Sequence, residues 1–351
     1  MTFYFLLFFV LIIIAFNYSN SKKAGTAIMF ALLFFAAFRG DKVGTDTVNY
    51  LSGRGLSRSL FIEDLMNQPE LIYVYLVYYI DSIGRSMRWI IIIFSIISIG
   101  CVFKAAQRVN ANLVLVGFVF SCLFYLQMFN IARQLTADCI LLVGYTYLLE
   151  DKKKSILIFL FSVLIATMFH VTSIIAIIAI LLKRWTFNKN TLLLIAIALF
   201  LLNIVAPIQY LNYISDYLAD SAYEYYTDEV MTTSRTFVGF VVEFIKFIIL
   251  MLIFKRNNAD TKTNFQDNLF FFGVVVQFLT VNLGSNVGRI ALVFTIFQIL
   301  YIADYLYKKS NHLSKDPISV CFAVYNVFFC LYNASLGHGE LVPYSMEFGF
   351  H

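Results

Sequence analysis

Charged residues are scarce in this chain, and so is proline. Asp, Glu, Lys and Arg make up 13% of the 351 residues, only four prolines occur, and hydrophobic residues make up 60%. Soluble domains carry about 25% charged residues. The composition therefore excludes an ordinary soluble globular protein and predicts an integral membrane protein with many membrane segments.

Patterned cysteines and soluble-enzyme motifs are missing as well. The five cysteines lie in apolar runs without CxxC or Cys/His spacing, so the sequence predicts neither a disulfide framework nor a zinc site. The motifs GxGxxG, GxSxG and HExxH and the P-loop are absent, which argues against ATP-driven work. We expect no metal and no cofactor.

Apolar runs separated by short polar breaks recur along the chain, which predicts an all-α polytopic fold. The first run lacks a basic region and a small-residue cleavage site, so it is predicted to be a membrane helix and not a removed signal. We predict one membrane domain, residues 1–351, with outer-face loops at 39–88 and 206–236 that contain interfacial helices at 69–80 and 207–228. About twelve membrane segments are predicted: Thr2 to Phe16, Ala24 to Phe38, Trp89 to Phe103, Leu113 to Phe129, Leu135 to Leu149, Ile156 to Phe169, Val171 to Leu182, Leu192 to Val205, Phe237 to Phe254, Leu269 to Leu283, Ile290 to Tyr305 and Ile318 to Leu331.

Lysine and arginine are distributed unevenly between the breaks. Alternate breaks hold most of them, for instance Lys152 to Lys154, and the positive-inside rule places those breaks in the cytoplasm and both termini outside. The stretch from Ser155 to Leu182 would be about 42 Å long as one helix, against a hydrocarbon core of roughly 30 Å. One tilted helix is the alternative, but we prefer two half-spans that turn near His170, because they keep both flanking basic clusters inside.

This topology gathers polar residues on the outer face. An outward arginine next to a membrane segment suits an anionic head group, because guanidinium donates a planar fork of N–H groups to phosphate oxygens. The alternative is snorkelling to lipid head groups, or a structural salt bridge such as Arg39 with Asp41 or Asp46. The predicted outer set is Arg39, Asp46, Arg54, Arg133, His170, Arg235 and Arg289.

His170 could act as a general base on a sugar hydroxyl, and its alternative is a histidine held by a backbone carbonyl. Asp46 follows Gly44, where the backbone could turn tightly next to a ligand, and its alternative is an Asx turn or a helix cap. Outer tyrosines could stack on sugars or simply form an interfacial aromatic belt. The acidic pair Glu63-Asp64 could bind a metal, although further ligands are lacking.

The first polar stretch carries a family resemblance. It reads Phe38-Arg39-Gly40-x-x-Val43-Gly44-Thr45-Asp46-Thr47-x-Asn49-Tyr50. This motif resembles the hallmark of the EpsG family of Wzy-like polymerases of bacterial O-antigen, capsule and exopolysaccharide. Later parts of the family are similar to Ile131-Ala132-Arg133-Gln134, Phe169-His170-x-x-Ser173 and Arg289-Ile290, so the resemblance covers roughly residues 1–345.

The resemblance implies a multi-pass glycosyltransferase of the bacterial inner membrane with an extracytoplasmic active face. It would transfer a growing chain from undecaprenyl pyrophosphate to a new lipid-linked oligosaccharide repeat unit, without a nucleotide sugar. Implied partners are the lipid-linked donor and acceptor, membrane lipids, a chain-length regulator and a flippase, and no nucleic acid. The implied catalytic residues are His170, Asp46 and Arg133, and the implied pyrophosphate and sugar ligands are Arg39, Thr45, Asn49, Tyr50, Arg54, Gln134 and Arg289.

Other functions stay open on the sequence. Asp138 and the pair Glu243/Lys246 lie inside predicted membrane segments, which favours a transporter or flippase for lipid-linked saccharide. A polyprenyl-phosphosugar-dependent glycosyltransferase and an O-antigen ligase are the enzymatic alternatives.

Overall fold

The computed structural model describes residues 1–52, 70–150, 152–185, 237–254, 261–280 and 289–349, with the short pieces 190–191, 194–195 and 197–198. The chain groups into two units: unit 1 is 1–177 with 299–351, and unit 2 is 178–298. In the described ranges the regular structure is helical, with one isolated extended bridge between Arg39 and Met346. This confirms the all-α fold class there, while the predicted single domain stays a prediction.

The helix limits follow the hydrophobic runs, because an apolar helix in lipid satisfies all its backbone groups internally. Short non-α turns continue some helices: a π turn at Ser121–Tyr125 and 3₁₀ turns at Gln127–Phe129, Val171–Ile177, Arg289–Ala291, Ser310–Lys315 and His338–Glu340. The described α-helices are α1 (Thr2–Asn17), α2 (Lys22–Ala37), α3 (Thr45–Leu51), α4 (Leu71–Ser82), α5 (Arg88–Arg108), α6 (Leu113–Phe120), α7 (Ala132–Leu148), α8 (Lys153–Phe169), α9 (Ile178–Leu182), α10 (Phe237–Ile253), α11 (Thr261–Thr280), α12 (Leu292–Thr295), α13 (Gln298–Lys308) and α14 (Pro317–Ser335).

The centre of unit 1 is the packing of α5, α7 and α8. Helices α5 and α7 run parallel, since Ser98 Oγ lies 2.9 Å from Thr136 Oγ1 and Arg108 Nε donates to Thr146 Oγ1 over 3.0 Å. Helix α8 returns after a short turn. It lies so close to α7 that a Cβ at Gly144 would sit 2.9 Å from the Ser162 Cβ. Small residues allow this close approach between membrane helices.

The helices of unit 1 have two chemically different ends. At one end, which we name the lysine end, Arg108 Nη2 donates to Glu150 Oε1 over 2.6 Å, and Lys152 also pairs with Glu150. The opposite end, which we name the motif end, holds the first motif and the starts of α5 and α7. The predicted separation of the first motif from the lysine cluster is therefore present within unit 1.

Unit 2 contains α9 to α12. Asn268 of α11 fixes the end of α9, because its side-chain amide donates to the carbonyls of Leu182 (2.8 Å) and Trp185 (2.6 Å). Helix α11 also packs against α12 and the 3₁₀ turn before it.

Among the described helices, α5 and α14 are long and apolar enough to cross a membrane. A third such span results when the adjoining helices of residues 289–308 are counted as one. The protein is a membrane-embedded helical protein, and the number of about twelve segments stays a prediction. The predicted run Leu192 to Val205 lies mostly outside the described residues. The predicted interfacial helix at 69–80 corresponds to α4, whereas the one at 207–228 lies outside the described chain.

The predicted break near His170 is present. Helix α8 ends at Phe169, and His170 has extended backbone angles (φ −155°, ψ 121°) before the 3₁₀ turn. This break exposes the imidazole at a helix end instead of placing it on a helix face.

Candidate functional site

The first motif is anchored to the turn that precedes α7. Gly44 is the N-cap residue of α3 and has a φ of +94°, and a Cβ there would lie 2.3 Å from the carbonyl oxygen of Phe129. Glycine is required here both because of the positive φ and because there is no space for a Cβ. Next to it, the backbone N–H and the hydroxyl of Thr45 lie 2.9 and 3.2 Å from Asn130 Oδ1.

Arg39 is almost completely buried, with 1% of its surface exposed. Its Nε donates to Thr47 Oγ1 over 3.1 Å, and its Nη1 donates to the carbonyl of Ala36 over 2.9 Å. The guanidinium carbon lies 5.0 Å from the centre of the Phe129 ring. Burial lowers the pKa of Arg39 to about 10, so the side chain is still charged at neutral pH. Among the described residues, its buried Nη2 has no hydrogen-bond partner.

A second arginine, Arg88, holds the backbone of the motif. Its Nη1 donates to the carbonyl of Arg39 over 3.0 Å, and its Nη2 forms an ion pair with Asp41. Asp41 thus pairs with Arg88 in place of the Arg39 pairing considered from the sequence. Arg88 is 2% exposed, and both of these contacts are to the backbone or side chains of the first motif.

The C-terminal segment, residues 336–349, covers the first motif. Backbone hydrogen bonds run from Gly40 N–H to the Ser345 carbonyl (2.8 Å) and from Glu347 N–H to the Phe38 carbonyl (3.0 Å). The Tyr344 hydroxyl donates to the Phe35 carbonyl over 2.7 Å. Arg39 is therefore covered by the C-terminal segment.

The motif end of unit 1 also holds a charged cluster around Glu70, the residue just before α4. Oε2 of Glu70 accepts from Nη1 of Arg133 in an ion pair, and Oε1 lies 2.6 Å from Nδ1 of His170. The side chains of Glu70, Arg133 and His170 are 9%, 15% and 22% exposed. We name these three residues the Glu70 cluster.

Aromatic side chains line the Glu70 cluster. The guanidinium carbon of Arg133 lies 4.6 Å from the centre of the Tyr73 ring, a cation–π contact. The backbone N–H of Arg133 donates to the hydroxyl of Tyr50 over 3.3 Å. Tyr50 itself packs edge-on against Tyr73 and Phe94. The first motif is thus joined to the cluster through Tyr50.

The other predicted site residues differ in their exposure to solvent. Asn49 and Thr45 are exposed on α3, Asp46 is half-buried in its first turn, and Gln134 is buried in α7. Arg289 begins a 3₁₀ turn of unit 2. Arg54, Arg235 and the pair Glu63-Asp64 lie outside the described residues. In the described ranges, no three His, Cys, Asp or Glu side chains lie together as metal ligands would.

A family model described as the EpsG family matches residues 22–346, nearly the whole chain. The chain belongs to the EpsG family. EpsG proteins are associated with glycosyltransferase-like polymerases, so this EpsG chain is a polymerase-related membrane protein of polysaccharide biosynthesis. No curated protein and no solved structure is significantly similar to it.

One important residue of this EpsG chain, Glu70, was missing from the sequence prediction. Glu70 is an isolated acid before an apolar helix, and its partners are 63 and 100 residues away in the chain. Its position at the start of α4 was the available signal, but an N-cap role would have explained it equally well. The structure excludes capping, because the Glu70 side chain makes no cap hydrogen bond with α4.

Proposed function

We propose that this EpsG protein is a polysaccharide polymerase that joins oligosaccharide repeat units carried on undecaprenyl pyrophosphate. The family match supports a membrane glycosyltransferase, and the Glu70 cluster supplies groups suited to this transfer. The reaction would take place at the outer face of the bacterial inner membrane. It needs no nucleotide sugar, because the pyrophosphate carrier is the leaving group.

The observation that carries this proposal is the convergence of Arg133 and His170 on one buried carboxylate. Arg133 has five N–H donors, and its ion pair with Glu70 engages one of them. A pyrophosphate that leaves with its bonding electrons would be stabilised by such a cation. His170 lies beside it and would accept the proton of the attacking sugar hydroxyl.

The first motif supplies further groups to the proposed site. Thr45 and Asn49 are exposed on α3 and would contact sugar or phosphate, with Asp46 as the alternative base on the same helix. Arg39 is the deeper pyrophosphate ligand in this proposal, because its Nη2 is without a hydrogen-bond partner in the described chain. Tyr50 and Gln134 complete the proposed set of ligands in unit 1, and Arg54 and Arg289 stay predictions from the sequence.

The two ends of unit 1 favour the proposed sidedness. Lys152 and its basic neighbours at the lysine end would face the cytoplasm by the positive-inside rule. The motif end, with Arg133 and His170, would then face outward. Flipped lipid-linked repeat units would reach the cluster there.

A cellular experiment tests the proposal. Disruption of the gene should leave single repeat units on their lipid carrier at the outer face and abolish long polysaccharide chains. An O-antigen ligase would instead leave long chains on the carrier. A phosphosugar-dependent transferase would leave an incomplete repeat unit, which would contradict the proposal.

A flippase for the same lipid is a second candidate because of Asp138. Both carboxyl oxygens of this α7 residue are buried and without a hydrogen-bond partner in the part of the chain that the structure describes. Buried membrane acids of this kind often mark transport paths. Accumulation of single repeat units at the inner face after gene disruption would favour the flippase.

A further inference from the structure

Glu70 is placed between the two groups to which the proposed function gives chemical roles. Its carboxylate engages each partner through a different oxygen, Arg133 through Oε2 and His170 through Oε1. The side chain is nine-tenths buried and does not cap its own helix. Both oxygens are thus committed to Arg133 and His170.

The hydrogen-bond chemistry fixes the orientation of the imidazole. An ionised carboxylate has only acceptors, so at 2.6 Å the Nδ1 of His170 must be the donor. In the neutral ring the remaining nitrogen, Nε2, is then the acceptor. The carboxylate therefore selects the tautomer in which Nε2 can take a proton.

We propose that Glu70 is a positioning residue that holds His170 as the general base and Arg133 as the pyrophosphate ligand in a fixed relation. This inference rests on the proposed polymerase function. The same carboxylate would stabilise the imidazolium formed during the reaction, as carboxylates do for histidine bases in other enzymes.

The step balances in atoms and charge. Nε2 of His170 takes the proton of the acceptor sugar hydroxyl, and that oxygen forms a new bond to the anomeric carbon of the donor. The bond from the anomeric carbon to the pyrophosphate oxygen breaks, and the electron pair leaves with undecaprenyl pyrophosphate beside Arg133. His170 then returns its proton to solvent or to the released pyrophosphate.

Groups from three helices meet in and around the Glu70 cluster. Helix α4 and its start present Glu70 and Tyr73, α7 presents Arg133, and α3 presents Tyr50. Glu70 is the one carboxylate among these four residues, so its replacement by an amide removes the negative charge that faces His170.

The test uses the purified full-length protein in lipid vesicles with synthetic undecaprenyl-pyrophosphate oligosaccharide, first as wild type. The variants are Glu70→Gln, His170→Ala and the double variant, each assayed for kcat and KM. Glu150→Gln is the matched control, because Glu150 also pairs with an arginine, Arg108, but at the lysine end. Glu70→Asp, with thermal melting, covers the case in which Glu70→Gln fails to fold.

We expect Glu70→Gln to lower kcat about 100-fold with little change in KM, and Glu150→Gln to leave both unchanged. The double variant should lose less rate than the product of the two single losses, because Glu70 acts in part through His170. A folded Glu70→Gln or Glu70→Asp protein with wild-type kcat would overturn the inference while leaving the polymerase function intact. Wild-type protein that makes no polymer would overturn the proposed function and the inference with it.

Discussion

At the residue scale, the same side-chain chemistry occurs at both ends of unit 1 with different consequences. Arg133 pairs with Glu70 and lies over Tyr73, while Arg108 pairs with Glu150 and lies over Tyr147 with its guanidinium carbon 3.4 Å from the ring centre. Only Arg133 has a histidine on its carboxylate partner. Substitution of Arg108 is therefore a control for the contribution that contacts between an arginine, a glutamate and a tyrosine make to folding alone.

Replacement of Arg133 by lysine should abolish chain growth and leave the protein folded. Lysine keeps the charge but loses the planar fork that suits both the carboxylate and a phosphate. Gels should show single repeat units in place of long polymer, because the rate of transfer falls about 100-fold or more. Arg108→Lys should keep full-length polymer, and equal loss in both variants would remove Arg133 from the site.

Replacement of Arg39 by alanine should destabilise the protein. The change removes the donors to Thr47 and to the Ala36 carbonyl and leaves a cavity in a site that is 1% exposed. We expect a loss of about 2–4 kcal/mol, seen as a lower melting temperature of the purified protein. Lys42→Ala, an exposed change in the same motif, should melt like wild type; an unchanged melting temperature for Arg39→Ala would contradict this packing.

The residue scale also shows what the sequence could and could not predict. Arg133 and His170 were predicted as site residues from their positions at the ends of apolar runs, and the structure brings them together. Glu70 was missed because an ion pair between residues 63 apart leaves no periodic trace in the sequence. The burial of Arg39 was missed because the C-terminal segment covers it through backbone groups, which any sequence could provide.

At the scale of elements, the apolar runs predicted most helix limits in the described chain to within a few residues. This works because the apolar run and the membrane helix are set by the same requirement to satisfy backbone groups in lipid. Three runs are exceptions. Leu113 to Phe129 is divided into α6, a π turn and a 3₁₀ turn, Val171 to Leu182 into a 3₁₀ turn and α9, and Ile290 to Tyr305 among a 3₁₀ turn, α12 and α13. A uniformly apolar run gives no sequence signal for a change from an α-helix to a π or 3₁₀ turn.

Replacement of Gly44 by alanine should break the junction between the first motif and the turn before α7. The new Cβ would meet the Phe129 carbonyl at 2.3 Å in a left-handed backbone conformation. Gly337→Ala is the matched control, with a φ of +77° and nothing within 4 Å of its Cβ. We expect a cost of about 1 kcal/mol for Gly337→Ala and clearly more for Gly44→Ala, measured by thermal melting. Equal melting temperatures would contradict the contact.

At the scale of the whole molecule, the proposed function depends on which end of unit 1 faces outward. The positive-inside rule and the lysine end support an outward motif end. Lys42 and Lys152 are both exposed and belong to opposite ends, so they are suitable reporters. A cysteine at residue 42 should react with a membrane-impermeant maleimide in intact spheroplasts, and one at residue 152 only after lysis, each compared with the wild-type background. Reaction in the reverse order would contradict the proposed face.

The central claim is that this EpsG protein itself joins lipid-linked repeat units. The most direct measurement adds synthetic undecaprenyl-pyrophosphate oligosaccharide to the purified, folded protein in lipid vesicles, without a nucleotide sugar. We predict a ladder of longer chains together with released undecaprenyl pyrophosphate, and no ladder with His170→Ala. Unchanged substrate with folded wild-type protein would contradict the claim.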